Sequence, residues 1–428
     1  MGVTRVLVAL ALVASEPLAA QSETVDPDQI VRALTKEPTF RAAANALDTG
    51  HDKWVQDIIT LTEIPSPPFK EQARATAFAD MLRRRGLSDV EIDDEGNVLA
   101  IRKGLESGPA VVVSAHLDTV FPEGTDVKVR REGEKLYAPG VGDDSGGLAT
   151  VLALIDAMNA AGLRTTRDLL IVGTVGEEGA GDLRGVRHLF TKGKYHNRIA
   201  AFFSFDGRGM QSFTRTGTGS KRYRISYAGP GGHSYNAFGI VNPLAALGRT
   251  VVDLYELKVP ASPKTTFSAS LVGGGTSVNA IPDKAWLEVD LRSVSAAELA
   301  KLEQQFLAIV NRSAEAENRA RSTKDGSVTV EAQMTGERPA GETPASANIV
   351  RFVEAAYRVE GIKVTSLAGS TDANTPMSLG IPAVTVSRVV VNERGHSLGE
   401  WIGLEKAENV RLRRILLAAV VATARHPN

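Results

Sequence analysis

The chain is 428 residues long and 43% hydrophobic, enough to bury a large core and to fill two domains. Lys plus Arg number 49 against 50 for Asp plus Glu, so there is no basic field to hold a phosphate backbone or an anionic membrane surface, and nucleic acid is not an expected partner. Cys is absent, which removes disulfides, thiol nucleophiles and sulfur-ligated metals; any metal must sit on His and carboxylates.

At the start, Arg5 precedes the apolar run VLVALALVA (6–14), and Pro17-Leu18-Ala19-Ala20 offers small residues for cleavage before Gln21, with Glu16 out of keeping between them. The run is too short to span a bilayer and has the layout of a signal peptide over 1–20, although a buried first helix has the same composition. Cleavage there predicts a periplasmic or secreted chain with no stable membrane span. Residues 22–63 read as helical until PSPP (65–68) breaks the pattern, and a second helix follows over about 70–86. Strands are expected at 97–101, 110–115, 168–175 and 200–205, with a helix over about 145–161. This alternation implies a mostly parallel sheet covered by helices, an α/β fold.

From about 216 to 334 the order changes to strand (223–227), helix (242–257), two strands (265–272, 284–292), helix (295–314) and strand (327–333). That is βαββαβ, a ferredoxin-like unit in its own right. Helices near 345–359 and 404–424 around a strand at 383–388 then resume the first pattern. The second domain, 216–334, is therefore expected as an insertion into a first domain made of 22–215 and 335–428.

Polar groups follow the apolar strands. His116-Leu117-Asp118 closes AVVVSA; His116 could bind a metal with Asp118 orienting it, or the pair could be structural. In Gly142-Asp143-Asp144-Ser145-Gly146-Gly147 an Asp before a helix is a good N-cap, and a carboxylate bridging two cations is the other reason for two adjacent acids. Glu177-Glu178 follows the strand 168–175. These acids are either a solvated turn or a pair dividing two tasks, one ligating a metal and the other accepting the proton of an attacking water. Asp206 ends a fourth strand, and His396 follows the strand 383–388. Together these supply two His and several carboxylates from different strand ends, suited to two zinc ions.

With HLDTV (116–120), GVGDDSGG (140–147), GEEGAGD (176–182), FDG (205–207) and GHS (395–397) in this order, the chain from about Ile58 onward resembles the co-catalytic zinc peptidase family that includes peptidase T, carboxypeptidase G, acetylornithine deacetylase and succinyl-diaminopimelate desuccinylase. The resemblance implies that His116 and Asp206 hold one zinc, that Glu178 and His396 hold the other, and that Asp143 bridges them. It also implies Glu177 as general base, Asp118 behind His116, and a cis Asp143-Asp144 bond. Cobalt or manganese could replace zinc. Ser145 stands where relatives often have Lys, and Gly142 where Ala is frequent; neither position is a ligand.

By the same resemblance the inserted unit is a lid and homodimerisation module. His233, in GPGGHSYNAFGIVNP (229–243), would reach the partner subunit's site and help hold the oxyanion. Asn279 and Arg292 would bind the substrate's carboxylate, which suits a guanidinium's paired hydrogen bonds; a strand-end Arg in a surface salt bridge is the plainer reading. Ser370 and Asp372, in GSTDAN (369–374), resemble a loop lining the substrate cleft, or else form a turn with an N-cap. ERPAG (337–341) and SFTRTGTGS (212–220) look closest to the peptidase T branch. The expected activity is hydrolysis of amide bonds in short peptides by an exopeptidase. An N-acyl amino acid deacylase is the alternative, and a non-catalytic binding protein a remote one.

Overall fold

The computed structural model of the protein describes residues 26–427; the expected signal peptide over 1–20 lies outside them. No helix among the described residues is long and apolar enough to cross a membrane. The helical stretch expected over 22–63 is three helices, Pro27–Lys36, Pro38–Thr49 and His51–Thr62. Pro38, lacking an N–H, opens the second helix after Glu37 turns extended at ψ 137°. Gly50 separates the second helix from the third. The buried faces of the first two, including Val31, Leu34, Phe40 and Leu47, join the main core.

The centre of the fold is a nine-stranded sheet. Across it lie Ser88–Ile92, Val98–Arg102, Leu169–Thr174, Ala110–His116, Ile199–Arg208, Ala383–Val389, Ser212–Gly217 and Gly341–Glu342, with Thr365–Gly369 also paired to Ser212–Gly217. The four strands in the middle, from Leu169–Thr174 to Ala383–Val389, run parallel. Side chains alternate between two cores. Val111 and Val113 pack in one with the helices Gln72–Arg84, Ser145–Ala160, Asn348–Val359 and Lys406–Arg425, whereas Val112 packs with Leu170, Val172 and Phe202 on the opposite face. Strands buried on both faces read as unbroken apolar runs, which is why AVVV and LLIV stand out in the sequence. All four parallel strands therefore end at one edge of the sheet, where such folds place their sites.

Between Ser212–Gly217 and Gly341–Glu342 the chain forms the expected second unit. Strand Gly219–Ala228, helix Pro243–Glu256, strands Thr265–Gly274 and Lys284–Ser293, helix Ala296–Ala320 and strand Thr329–Arg338 follow in βαββαβ order. The four strands are antiparallel in the order Thr265–Gly274, Lys284–Ser293, Gly219–Ala228, Thr329–Arg338. Tyr223, Ile225, Tyr227, Val289 and Leu291 face the two helices, through Leu247 and Leu254 of the first and Leu302, Phe306 and Val310 of the second. Arg222, Asp290 and Arg292 fall on the alternate face of the same strands. The last strand continues through Arg338, past the expected boundary at 334, and so returns an arginine to the large sheet's edge.

Candidate metal centre and substrate cavity

His116 is the last residue of its strand. Its N–H donates to Asp144 Oδ2 at 2.9 Å, and its ring Nδ1 lies 3.0 Å from the carbonyl of Asp118. The other ring nitrogen, Nε2, is 2.9 Å from Asp143 Oδ1 and 3.8 Å from Asp206 Oδ1. The nearest partner of the imidazole's far side is thus the Asp118 carbonyl, with the Asp118 carboxylate at 3.6 Å. That carboxylate accepts the N–H groups of Glu177 at 3.0 Å and Glu178 at 2.8 Å, fixing the turn that carries both glutamates. Burial works against its charge, but His116 and these amides outweigh it and hold Asp118 below the usual carboxylate range.

The two acids at 143 and 144 divide the two readings between them. The bond joining them is cis. Asp144 is the N-cap: its Oδ1 accepts Gly147 N–H, in a space so close that a Cβ at 147 would meet that oxygen at 2.2 Å. Asp143 is left to face the imidazoles, with Oδ1 toward His116 and Oδ2 at 3.2 Å from His396 Nε2. Burial opposes the charge on Asp143, while Arg388 and the two His residues pull it well below the usual range. The loop is held from behind by Glu400, whose carboxylate accepts from the N–H groups of Gly140, Gly142 and Asp143 at 2.8, 3.0 and 3.0 Å.

Glu178 Oε1 lies 2.9 Å from His396 Nε2. His396 adopts a left-handed backbone, φ 63°, unusual for a residue other than glycine. Hydrogen bonds to Asp143 and Glu178 raise its imidazole to about 10. Glu177 is buried and meets Arg338 Nη1 at 3.1 Å. Burial pushes Glu177 well above the usual range against the pull of Arg338, and Glu178 and Asp206 push the same way. Asp206 lies two residues before the end of the strand beside that of His116 and touches Arg388, a completely buried guanidinium that also donates to Asp143 Oδ1 at 3.0 Å. Burial disfavours that cation, yet Asp143, Asp206 and Asp144 hold it well above its ordinary value.

His116, Asp143 and Asp206 converge within 4.8 Å of one another, and so do Asp143, Glu178 and His396. Nitrogen and oxygen donors without sulfur, with one carboxylate common to both triplets, form a set that two zinc, cobalt or manganese ions fit. These acids open onto a cavity of about 580 Å³ whose wall also includes Arg208, Arg222, Arg292, Arg338 and Ser370.

Two of the sequence-selected residues lie elsewhere. His233, on a two-stranded ribbon with Ala280–Ile281, and Asn279, whose carbonyl accepts Ser234 N–H, sit together at one end of the inserted unit and outside this cavity. His233 is exposed, its Nδ1 accepting Tyr235 N–H at 3.3 Å. Asp372 is a correction. Rather than lining the cleft it is buried, accepting the hydroxyl of Thr174 beneath the sheet edge, and burial raises it to about 7. Arg338, Arg388 and Glu400 were not picked out from the sequence. Arg338 lies within ERPAG and Arg388 ends AVTVSR, but nothing local distinguishes a buried ion-pair arginine from an exposed one.

The fold and the clustered ligands define a two-domain α/β protein with a candidate dinuclear metal centre at the carboxyl edge of its sheet. Residues 112–419 match the model of Peptidase family M20/M25/M40, and the chain belongs to that family. Succinyl-diaminopimelate desuccinylase of Corynebacterium glutamicum is 26% identical over 243 residues, which span 54% of this chain and 64% of that relative's length. Among solved structures, a tripeptidase from Staphylococcus aureus superposes with a TM-score of 0.73 at 18% identity, covering 88% of this chain and 99% of that one. An aminopeptidase from Bacillus cereus superposes with a TM-score of 0.71 at 18% identity, covering 87% and 98%. At these identities the structures speak for the fold.

Proposed function

We propose that this protein is a metal-dependent amide hydrolase, an exopeptidase of aminotripeptidase or dipeptidase type acting on short peptides. The observation that carries this reading is Asp143, whose two oxygens face His116 and His396 separately, as a carboxylate shared by two ions requires. His116, Asp143 and Asp206 would hold one zinc and Asp143, Glu178 and His396 the other. Ions bound there would polarise the substrate carbonyl and make a water acidic enough to attack near neutral pH.

Glu177 takes the proton of the attacking water and returns it to the leaving amine. Burial and the acids beside it favour the protonated form needed for the return, while Arg338 favours the carboxylate needed for the first step. Asp118 fixes the turn of both glutamates and backs His116. Arg292 and Ser370, on the cavity wall, orient the substrate, Arg292 through its carboxylate. His233 and Asn279 serve the site of a partner subunit in a homodimer formed through the inserted unit, 216–334. The chain is exported, its first 20 residues removed, and works in the periplasm or outside the cell.

A second reading, N-acyl amino acid deacylase, is favoured by the likeness to a desuccinylase. Elemental analysis of the purified chain, with rates on leucyl-glycyl-glycine and on N-acetyl amino acids for the native protein and Glu177→Ala, separates the cases. About two zinc per chain and tripeptide cleavage lost in the variant support the peptidase. Preference for acetylated substrates moves the assignment to deacylase, and a chain that binds no divalent ion sinks both.

A further inference from the structure

The cavity carries more positive charge than a single substrate carboxylate needs. Arg338 is engaged by Glu177, at 3.1 Å. Arg222 and Arg292, on neighbouring strands of the inserted unit, share one carboxylate, Asp290, at 3.4 and 2.5 Å. One guanidinium charge on that wall therefore has no counter-ion. Arg208 also lines the cavity, at the end of the strand that carries Asp206 two residues earlier. Among the described residues the Arg208 side chain makes no ion pair and no hydrogen bond. Its guanidinium runs past Gly395, at 3.9 Å from where a Cβ there would sit, and it lines the same cavity as His396.

A cation held in a substrate cavity without an acceptor is satisfied by the ligand or by water, and a carboxylate accepts paired hydrogen bonds from a guanidinium. Arg292, in the reading above, takes the carboxylate that every peptide or N-acyl amino acid carries. We infer that Arg208 takes a second one: the cavity selects substrates with two carboxylates, one of them an acidic side chain beside the bond to be cleaved. This rests on the proposed hydrolysis at the same site and adds the chemistry of the preferred substrate. The acidic metal ligands of the cavity do not oppose it, because the ions they hold cancel their charge.

Matched pairs test this: Glu-Gly-Gly against Gln-Gly-Gly, Leu-Glu-Gly against Leu-Gln-Gly, and N-acetylglutamate against N-acetylglutamine, with zinc-loaded native protein and Arg208→Gln. In at least one pair the acid is expected to exceed its amide in kcat/KM by at least about tenfold, the order a charge-assisted hydrogen bond supplies. Arg208→Gln lowers that ratio at least about fivefold. In native protein the ratio also falls as salt is raised, a readout that needs no variant. Hydrolysis with every ratio below tenfold, or a preference that survives both the substitution and salt, overturns the inference and leaves the hydrolase standing. No hydrolysis of any pair by metal-loaded protein overturns both.

Discussion

Arg388 donates to Asp143 Oδ1 at 3.0 Å from a position with no solvent access, so the carboxylate shared by the two proposed ion sites is held by a fixed cation as well. The same guanidinium touches Asp206 and lies 3.7 Å from Asp144 Oδ1. Three acids, two of them buried, thus lean on one side chain. Arg388→Met, assayed in chelator, is expected to lose about 3 kcal/mol of stability, because removing one partner strands buried charge. Added zinc should recover more of the variant's stability than of the native protein's. Urea denaturation with and without zinc measures both; equal stability of variant and native protein in chelator would show that the pairing contributes nothing.

Arg338 touches Glu177 through both its carboxylate and its carbonyl. It pulls the Glu177 pKa down, so its removal raises that pKa further. If Glu177 must be ionised to accept a proton, Arg338→Met shifts the acid limb of the kcat/KM profile to higher pH and lowers kcat by about tenfold or more. A profile that keeps its acid limb would separate Arg338 from the proton transfer.

His233 and Glu177 stand in different parts of the chain, one on the inserted unit's ribbon and one in the cavity. If His233 acts in the partner's site, His233→Ala and Glu177→Ala are each nearly inactive. Mixed after dissociation and reassociation, they should regain about a quarter of native activity, since half the dimers then hold one complete site. Rates before and after mixing decide this, and no recovery would place His233 outside catalysis.

His51 packs against Arg413, with Nδ1 3.1 Å from Nη2, and burial together with that cation lowers its imidazole to about 4. The unfolded imidazole titrates near 6.5. Between these values the unfolded chain binds the extra proton, so stability is full above about 6.5 and falls as pH drops toward about 4. The loss is about 1–3 kcal/mol after allowing for solvent screening. Denaturation midpoints of native protein and His51→Gln between pH 7 and 4.5 test it, the variant being expected to lose less.

The metal-site candidates were legible because each is a polar residue ending or following a buried run: His116 after AVVVSA, Glu177 and Glu178 after LLIVGT, Asp206 after FFSF. Sequence could not say which of Asp143 and Asp144 caps the helix, since either fits an N-cap; only Gly147's position in space chooses Asp144. Ser212–Gly217, where the sequence pattern marked no strand, is one, because its pairing with Thr365–Gly369 and Gly341–Glu342 comes from distant chain and overrides local preference. Asp372 was misplaced for a related reason. The loop after Thr365–Gly369 turns inward under Thr174, and a single sequence does not reveal which way a turn faces.

The insertion between Ile199–Arg208 and Ala383–Val389 also sets an order of events. These two strands are hydrogen-bonded neighbours, yet the whole βαββαβ unit separates them along the chain. Pairings this remote in sequence close slowly. During synthesis Asp143, Glu178 and Asp206 all emerge before Arg388 and His396, so a nascent chain holds acids with neither their guanidinium nor their second imidazole. Divalent ions captured at that stage would bind an incomplete cage, and tight loading has to wait until the last strand has entered the sheet.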